Sequence, residues 1–157
     1  MQVYRHSGVF ALENGASLDG IDIAYHCYGR LNAAKDNVIW VCHALTANSD
    51  PADWWKGLVG DGYLIDPANY FIVCANMLGS CYGSTGPLSN DDKTDKPYYA
   101  SFPQVTIRDM VAAHILLRKH LGIDSIALLM GGSMGGYQVL EWAVMEPAVI
   151  KKMFLIA

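Results

Sequence analysis

The sequence predicts an α/β fold, a mostly parallel sheet with helices on both faces, and three observations carry that expectation. Short β-branched or aromatic runs alternate with stretches of helical periodicity. Apolar residues make up 52% of the chain and charged residues 17%, a balance richer in apolar groups than an average domain and suited to a sheet buried on both faces. The second half runs strand, helix, strand, helix, strand, an order that right-handed crossovers turn into parallel pairing.

Taken in order, Ile21 to Tyr28, Val38 to Cys42 (VIWVC) and Tyr70 to Ala75 (YFIVCA) read as buried strands bounded by turn residues. From Val105 to Leu121, the positions Ile107, Met110, Val111, His114, Leu117 and Leu121 recur at steps of three and four, which predicts an amphipathic helix with Gly122 as its C-terminal cap. Ile126 to Met130 (IALLM) predicts the next strand. Met134 to Met145 predicts a helix ended by Pro147, because the residue before proline avoids the α region. Met153 to Ala157 begins one more strand. Gly79 to Phe102, rich in Gly, Ser, Asp and Pro and without periodicity, reads as a long loop.

A length of 157 residues is that of a single domain. The formal net charge of -4 offers no basic stripe for a phosphate backbone, so nucleic acid is not an expected partner. Nor is a membrane, since no apolar run approaches the roughly 20 residues that span a bilayer. The start, MQVYRHSGVF, lacks the order of a signal peptide, and a cytoplasmic location is expected. Cys27, Cys42, Cys74 and Cys81 form no C-x-x-C pair and read as reduced thiols, with Cys81 the exposed one; no metal site is expected.

The strongest chemical signal is IALLMGGSMGGYQVLEWA, where Gly131, Ser133 and Gly135 make G-x-S-x-G between a predicted strand and a predicted helix. A nucleophilic serine needs a sharp turn that lifts its hydroxyl above the sheet, and Gly131, Gly135 and Gly136 supply the room. The helix beginning at Met134 aims unpaired N–H groups at the reaction centre, so the Met134 N–H is one expected oxyanion donor. A phosphate loop is excluded because no lysine follows the glycines.

VIWVCHALTANSD places His43, Ala44, Leu45 and Thr46 directly after a strand. This H-A-L-T run, ANMLGSCYGSTGP (Ala75 to Pro87), FPQVTIRDMV (Phe102 to Val111), and GGSMGG followed by LEWA together resemble the homoserine O-acetyltransferase family, acyltransferases of the α/β-hydrolase fold, over most of Val38 to Pro147. Ala47-Asn48 and Gly79-Ser80 depart from the family's usual glycine-containing pairs. The resemblance implies that Leu45 donates the second oxyanion N–H. It implies acetyl-CoA as co-substrate with no bound cofactor, and ping-pong transfer of the acetyl group through Ser133 to the homoserine hydroxyl. Succinyl transfer to homoserine, acyl transfer to serine and plain ester cleavage are alternatives on the same scaffold, and a catalytically incomplete fragment with only a structural or associating role is the alternative of a different class.

His6, His26, His43, His114 and His120 all precede Ser133, whereas this fold orders its triad as Ser, Asp or Glu, then His. His43 therefore reads as structural, as do Arg108 and Asp109. Trp54, Trp55 and Trp142 read as packing, and Asp91, Asp92 and Asp95 as a solvated loop. The expectation is that residues 1–157 are the N-terminal part of one α/β-hydrolase domain, truncated before the lid and C-terminal strands. Such a fragment is expected to be inactive alone and to associate with its missing half or with copies of itself.

Overall fold

The computed structural model describes residues 1–156; the Ala157 end of the last expected strand lies outside the described residues. Six strands form the main sheet: β1 (Gln2–His6), β2 (Ile21–Tyr28), β3 (Val38–Cys42), β4 (Phe71–Ala75), β5 (Leu128–Gly132) and β6 (Met153–Ile156). Their order is β1-β2-β4-β3-β5-β6. The β4-β3, β3-β5 and β5-β6 pairs are parallel, and β1-β2 and β2-β4 antiparallel. Residues 10–11 pair with 17–18, and 90–91 with 96–97, as two small ladders outside the sheet.

Two long helices accompany the sheet, α1 (Ile107–His120) and α2 (Met134–Met145). Thr106 caps α1 in a capping box with Asp109, which satisfies two otherwise unpaired donors. Gly122, at φ +67°, ends it: its N–H reaches Lys119 O and the Ile123 N–H reaches Arg118 O, the paired bonds of a left-handed C-terminal cap. Ser101 closes a 3-10 turn, Tyr99–Ser101, within the long loop.

Both helices pack on the same face, around Trp40, Val73, Val111, Leu117, Val139 and Trp142. The crossovers β4-α1-β5 and β5-α2-β6 both step in one direction along the sheet, and right-handed crossovers stepping one way share a face. The β3-to-β4 connection steps the other way and covers the opposite face. It does so with only a single helical turn, Pro51–Trp54, and the apolar residues Val59 and Ile65 against Ile39, Val41, Ile72, Cys74 and Met130. Helical cover is thus uneven between the two faces. Trp54 and Trp55 stack at 5.1 Å on this second face, as packing residues.

Candidate active site

The sheet order makes the chain leave β3 toward one side and β5 toward the other, and the crevice at such a reversal, outside the carboxyl ends of the strands, is where open α/β sheets bind ligands. Cys42 lies directly beside Gly131 in the parallel register. The turn after β3 and the turn after β5 therefore leave the sheet at the same level.

Ser133 sits alone between β5 and α2 with φ 52° and ψ -124°, a conformation that costs an L-residue about 1–3 kcal/mol. Its position is that of a helix N-cap, where a serine ordinarily turns its oxygen to the first helical N–H groups. Here the side chain makes no capping bond, and the residue is exposed. The hydroxyl is thus presented to solvent, while the Ser133 N–H donates to Ile156 O at 2.9 Å.

The two elbow glycines are required by close approach. A Cβ on Gly135 would collide with the Cys42 carbonyl and lie 3.0 Å from that of His43; one on Gly131 would lie 2.5 Å from the Gly135 carbonyl group and 2.9 Å from Cys42 O. No Cβ tolerates such distances, so the two turns can interlock only through glycine.

Leu45 sits in a turn closed by the Ala47 N–H on Ala44 O at 3.0 Å, and its side chain is exposed. Neither the Leu45 nor the Met134 N–H takes part in a hydrogen bond among the described residues. Both residues line one recess of about 370 Å³ with Met77, Gly79, Cys81, Val105 and Met110. Ser133 lines a separate recess of about 280 Å³ with Tyr137, Leu140 and Leu155. A further recess holds His26, Asn48, Asp50 and Asn76 beside Cys81. Cys81 is exposed, while Cys42 and Cys74 are buried.

His43 is buried, with Nδ1 2.8 Å from Ala44 O. Burial lowers its pKa, against a smaller opposing effect of that carbonyl. It is a structural residue of the turn. Arg108 bridges Glu141 at 2.7 Å and Glu13 at 3.6 Å, and Asp109 accepts from the Glu13 and Thr106 N–H groups, so both hold α1 in place. His114 and Asn76, buried beneath the site, were not singled out as site residues by the sequence reading. The available signal was a histidine on an otherwise apolar helical stripe.

The sequence family described as alpha/beta hydrolase fold matches residues 37–157. A homoserine O-acetyltransferase from Trichormus variabilis is 49% identical over 155 residues, covering 98% of this chain and 43% of that protein. Among solved structures, the homoserine O-acetyltransferase from Bacillus anthracis superposes with a TM-score of 0.86 at 32% identity, over 99% of this chain and 47% of that one. Esterase E22 superposes with a TM-score of 0.88 at 30% identity, over 98% and 46%. The chain spans less than half the length of these relatives.

Proposed function

Because the chain belongs to the alpha/beta hydrolase fold family, we propose that Ser133 is the nucleophile of an O-acyltransferase that moves an acetyl group from acetyl-CoA to the hydroxyl of homoserine. The observation that carries this reading is the Ser133 backbone, held at φ 52° in a strand-to-helix turn with its hydroxyl uncommitted. Sequence identity near one half to homoserine O-acetyltransferases favours that acceptor.

In the first half-reaction the Ser133 oxygen attacks the thioester carbonyl, and its proton passes to a base. The Leu45 and Met134 N–H groups would take the negative charge on the carbonyl oxygen. Coenzyme A thiol then leaves with a proton, and an acetyl-serine remains. In the second half-reaction the homoserine hydroxyl attacks that ester, and Ser133 regains its proton. The base is neither His43 nor His114, since both are buried. By the fold's chain order, the triad acid and base are expected in the part of the relatives' length that these 157 residues do not span.

Ester cleavage is the second reading, favoured by the equally close superposition of esterase E22. The two share the acyl-serine and differ in what removes the acyl group. The deciding experiment follows acetyl transfer to homoserine against release of acetate to water in the protein that carries this segment, with acetyl-CoA, succinyl-CoA and p-nitrophenyl acetate as donors. Acetylhomoserine as the main product supports the transferase; acetate as the main product in saturating homoserine replaces it with the esterase. Ser133→Ala is expected to lose the acyl-enzyme detected by mass spectrometry, and a covalent acetyl group on any other residue overturns the assignment.

A further inference from the structure

Behind the turn that carries Leu45 lies a set of buried polar groups that acyl transfer does not use. His43, Asn76, His114 and Gln138 are all at most 1% exposed, and Trp40 is fully buried. Their proton positions follow from their partners. The Ala44 carbonyl can only accept, so His43 Nδ1 carries the proton and Nε2 is left as an acceptor. Asn76 Nδ2 donates to Tyr82 O at 2.7 Å and Ser49 Oγ at 3.0 Å, which fixes its amide and leaves Oδ1 as an acceptor. Gln138 Nε2 is turned toward Met134 O and Met77 Sδ, which leaves Oε1.

Within this group four unpartnered atoms are acceptors: His43 Nε2, Asn76 Oδ1, Gln138 Oε1 and one ring nitrogen of His114. Three are donors: the Trp40 Nε1–H, the other ring nitrogen of His114 and the Arg118 Nε–H. Arg118, one turn along α1 from His114, has its two terminal nitrogens engaged by Ile123 O and Glu146, while its Nε–H has no partner. The groups are neighbours. His114 packs at 6.0 Å from Trp40 and 6.1 Å from Trp142, ring centre to ring centre. Gln138 precedes Trp142 by one turn of α2 and reaches Met77, the residue after Asn76. A charge on His43 is felt at His114.

Buried acceptors left unpaired are costly, and in this group they outnumber the donors even with the Arg118 Nε–H counted. One water molecule supplies the missing donor. We propose that His43, Asn76, His114 and Gln138 enclose a single ordered water, and that the water-linked His43 and His114 rings position the turn presenting the Leu45 N–H. The coupling runs through Ala44 O, which accepts from both the His43 ring and the Ala47 N–H that closes the turn. Both histidines are positioning residues. The positioning role rests on Leu45 as an oxyanion donor; the water site does not.

Two measurements on the protein test it. High-resolution crystallography is expected to show one water within hydrogen-bond distance of His43 Nε2 and of His114, and long-range ¹H–¹⁵N spectra at pH 7 are expected to show His43 protonated at Nδ1. Clear density without that water, or the opposite tautomer, overturns the site. In kinetics, His114→Phe is expected to lower the acylation rate with p-nitrophenyl acetate about tenfold to hundredfold, the scale of a misplaced oxyanion donor. KM should move less than about twofold, and His114→Gln, which can donate and accept, should recover most of the rate. An unchanged rate in His114→Phe, or equal losses in both variants, refutes positioning. Failure of a fluorophosphonate to label Ser133 in the unaltered protein would remove the nucleophile reading and leave the water site standing. Should His114→Phe not fold, the diffraction and tautomer results decide alone.

Discussion

Ser133 holds a backbone conformation that glycine adopts freely, and this gives it a measurable signature. Ser133→Gly releases strain of about 1–3 kcal/mol and loses about 0.5–1 kcal/mol to the greater freedom of the unfolded chain. The variant is expected to be inactive yet to melt about 2–4 °C higher, and a Tm below that of the parent would show that the strain stored there is smaller than the cost of the freer unfolded chain. Gly135→Ala has the opposite expectation, because its Cβ meets the Cys42 carbonyl. A loss of about 3 kcal/mol in urea unfolding, with Ser133 no longer labelled, is expected. His114 adds a pH dependence. Burial, with His43 beside it, pushes its pKa down to about 3, so the unfolded chain takes up a proton near pH 6.5 that the folded chain refuses. The stability is present in full above about pH 6.5 and is lost as pH falls toward 3, at up to about 1.4 kcal/mol per pH unit. His43, lowered in the same direction, adds to the slope. Urea unfolding at pH 7, 6 and 5 should show His114→Phe with the shallower decline.

At the scale of elements, Asp109 joins the start of α1 to the N-terminal ladder. Thr106→Ala removes a cap and is expected to cost about 1 kcal/mol. Asp109→Ala also strands the Glu13 N–H and should cost about 2–3 kcal/mol by urea unfolding; equal losses would deny that second role. Pattern in the sequence placed α2 at its observed bounds and α1 to within two residues at each end, since caps and the Pro147 stop are local chemistry. Strand limits were less legible. The sequence points to Ile126–Met130 where β5 is Leu128–Gly132, because Gly131 and Gly132 are poor strand formers kept in the sheet by pairing, Gly131 with Cys42 and Leu155 and Gly132 with Ile156. Ile126 makes only an isolated bridge to Ile150. β1 has no signature in the sequence, since an edge strand with Gln2, Val3 and Arg5 exposed carries no buried run. The elbow was legible because one short motif encodes it. The buried His114 was not, since on a helical stripe it counts as one more inward position.

For the whole molecule, one edge of the sheet and the helix beside it carry exposed apolar side chains. Met153, Phe154, Leu155 and Ile156 of β6 are exposed, as are Tyr137, Leu140 and Val144 of α2. Exposed apolar edges invite pairing, so a polypeptide of only these 157 residues is expected to self-associate in light scattering, and Leu155→Lys to reduce it. A monomer at all concentrations would contradict this. No helix among the described residues is long and apolar enough to cross a membrane. The bond from the Ser133 N–H to Ile156 O ties the elbow to the strand made after it. A chain emerging from the ribosome therefore delivers this serine before the carbonyl that pins it, and the reactive geometry is acquired late, when β6 docks. Amide exchange should then release Ser133 together with β6, in one opening event, while the Val38–Cys42 amides stay protected.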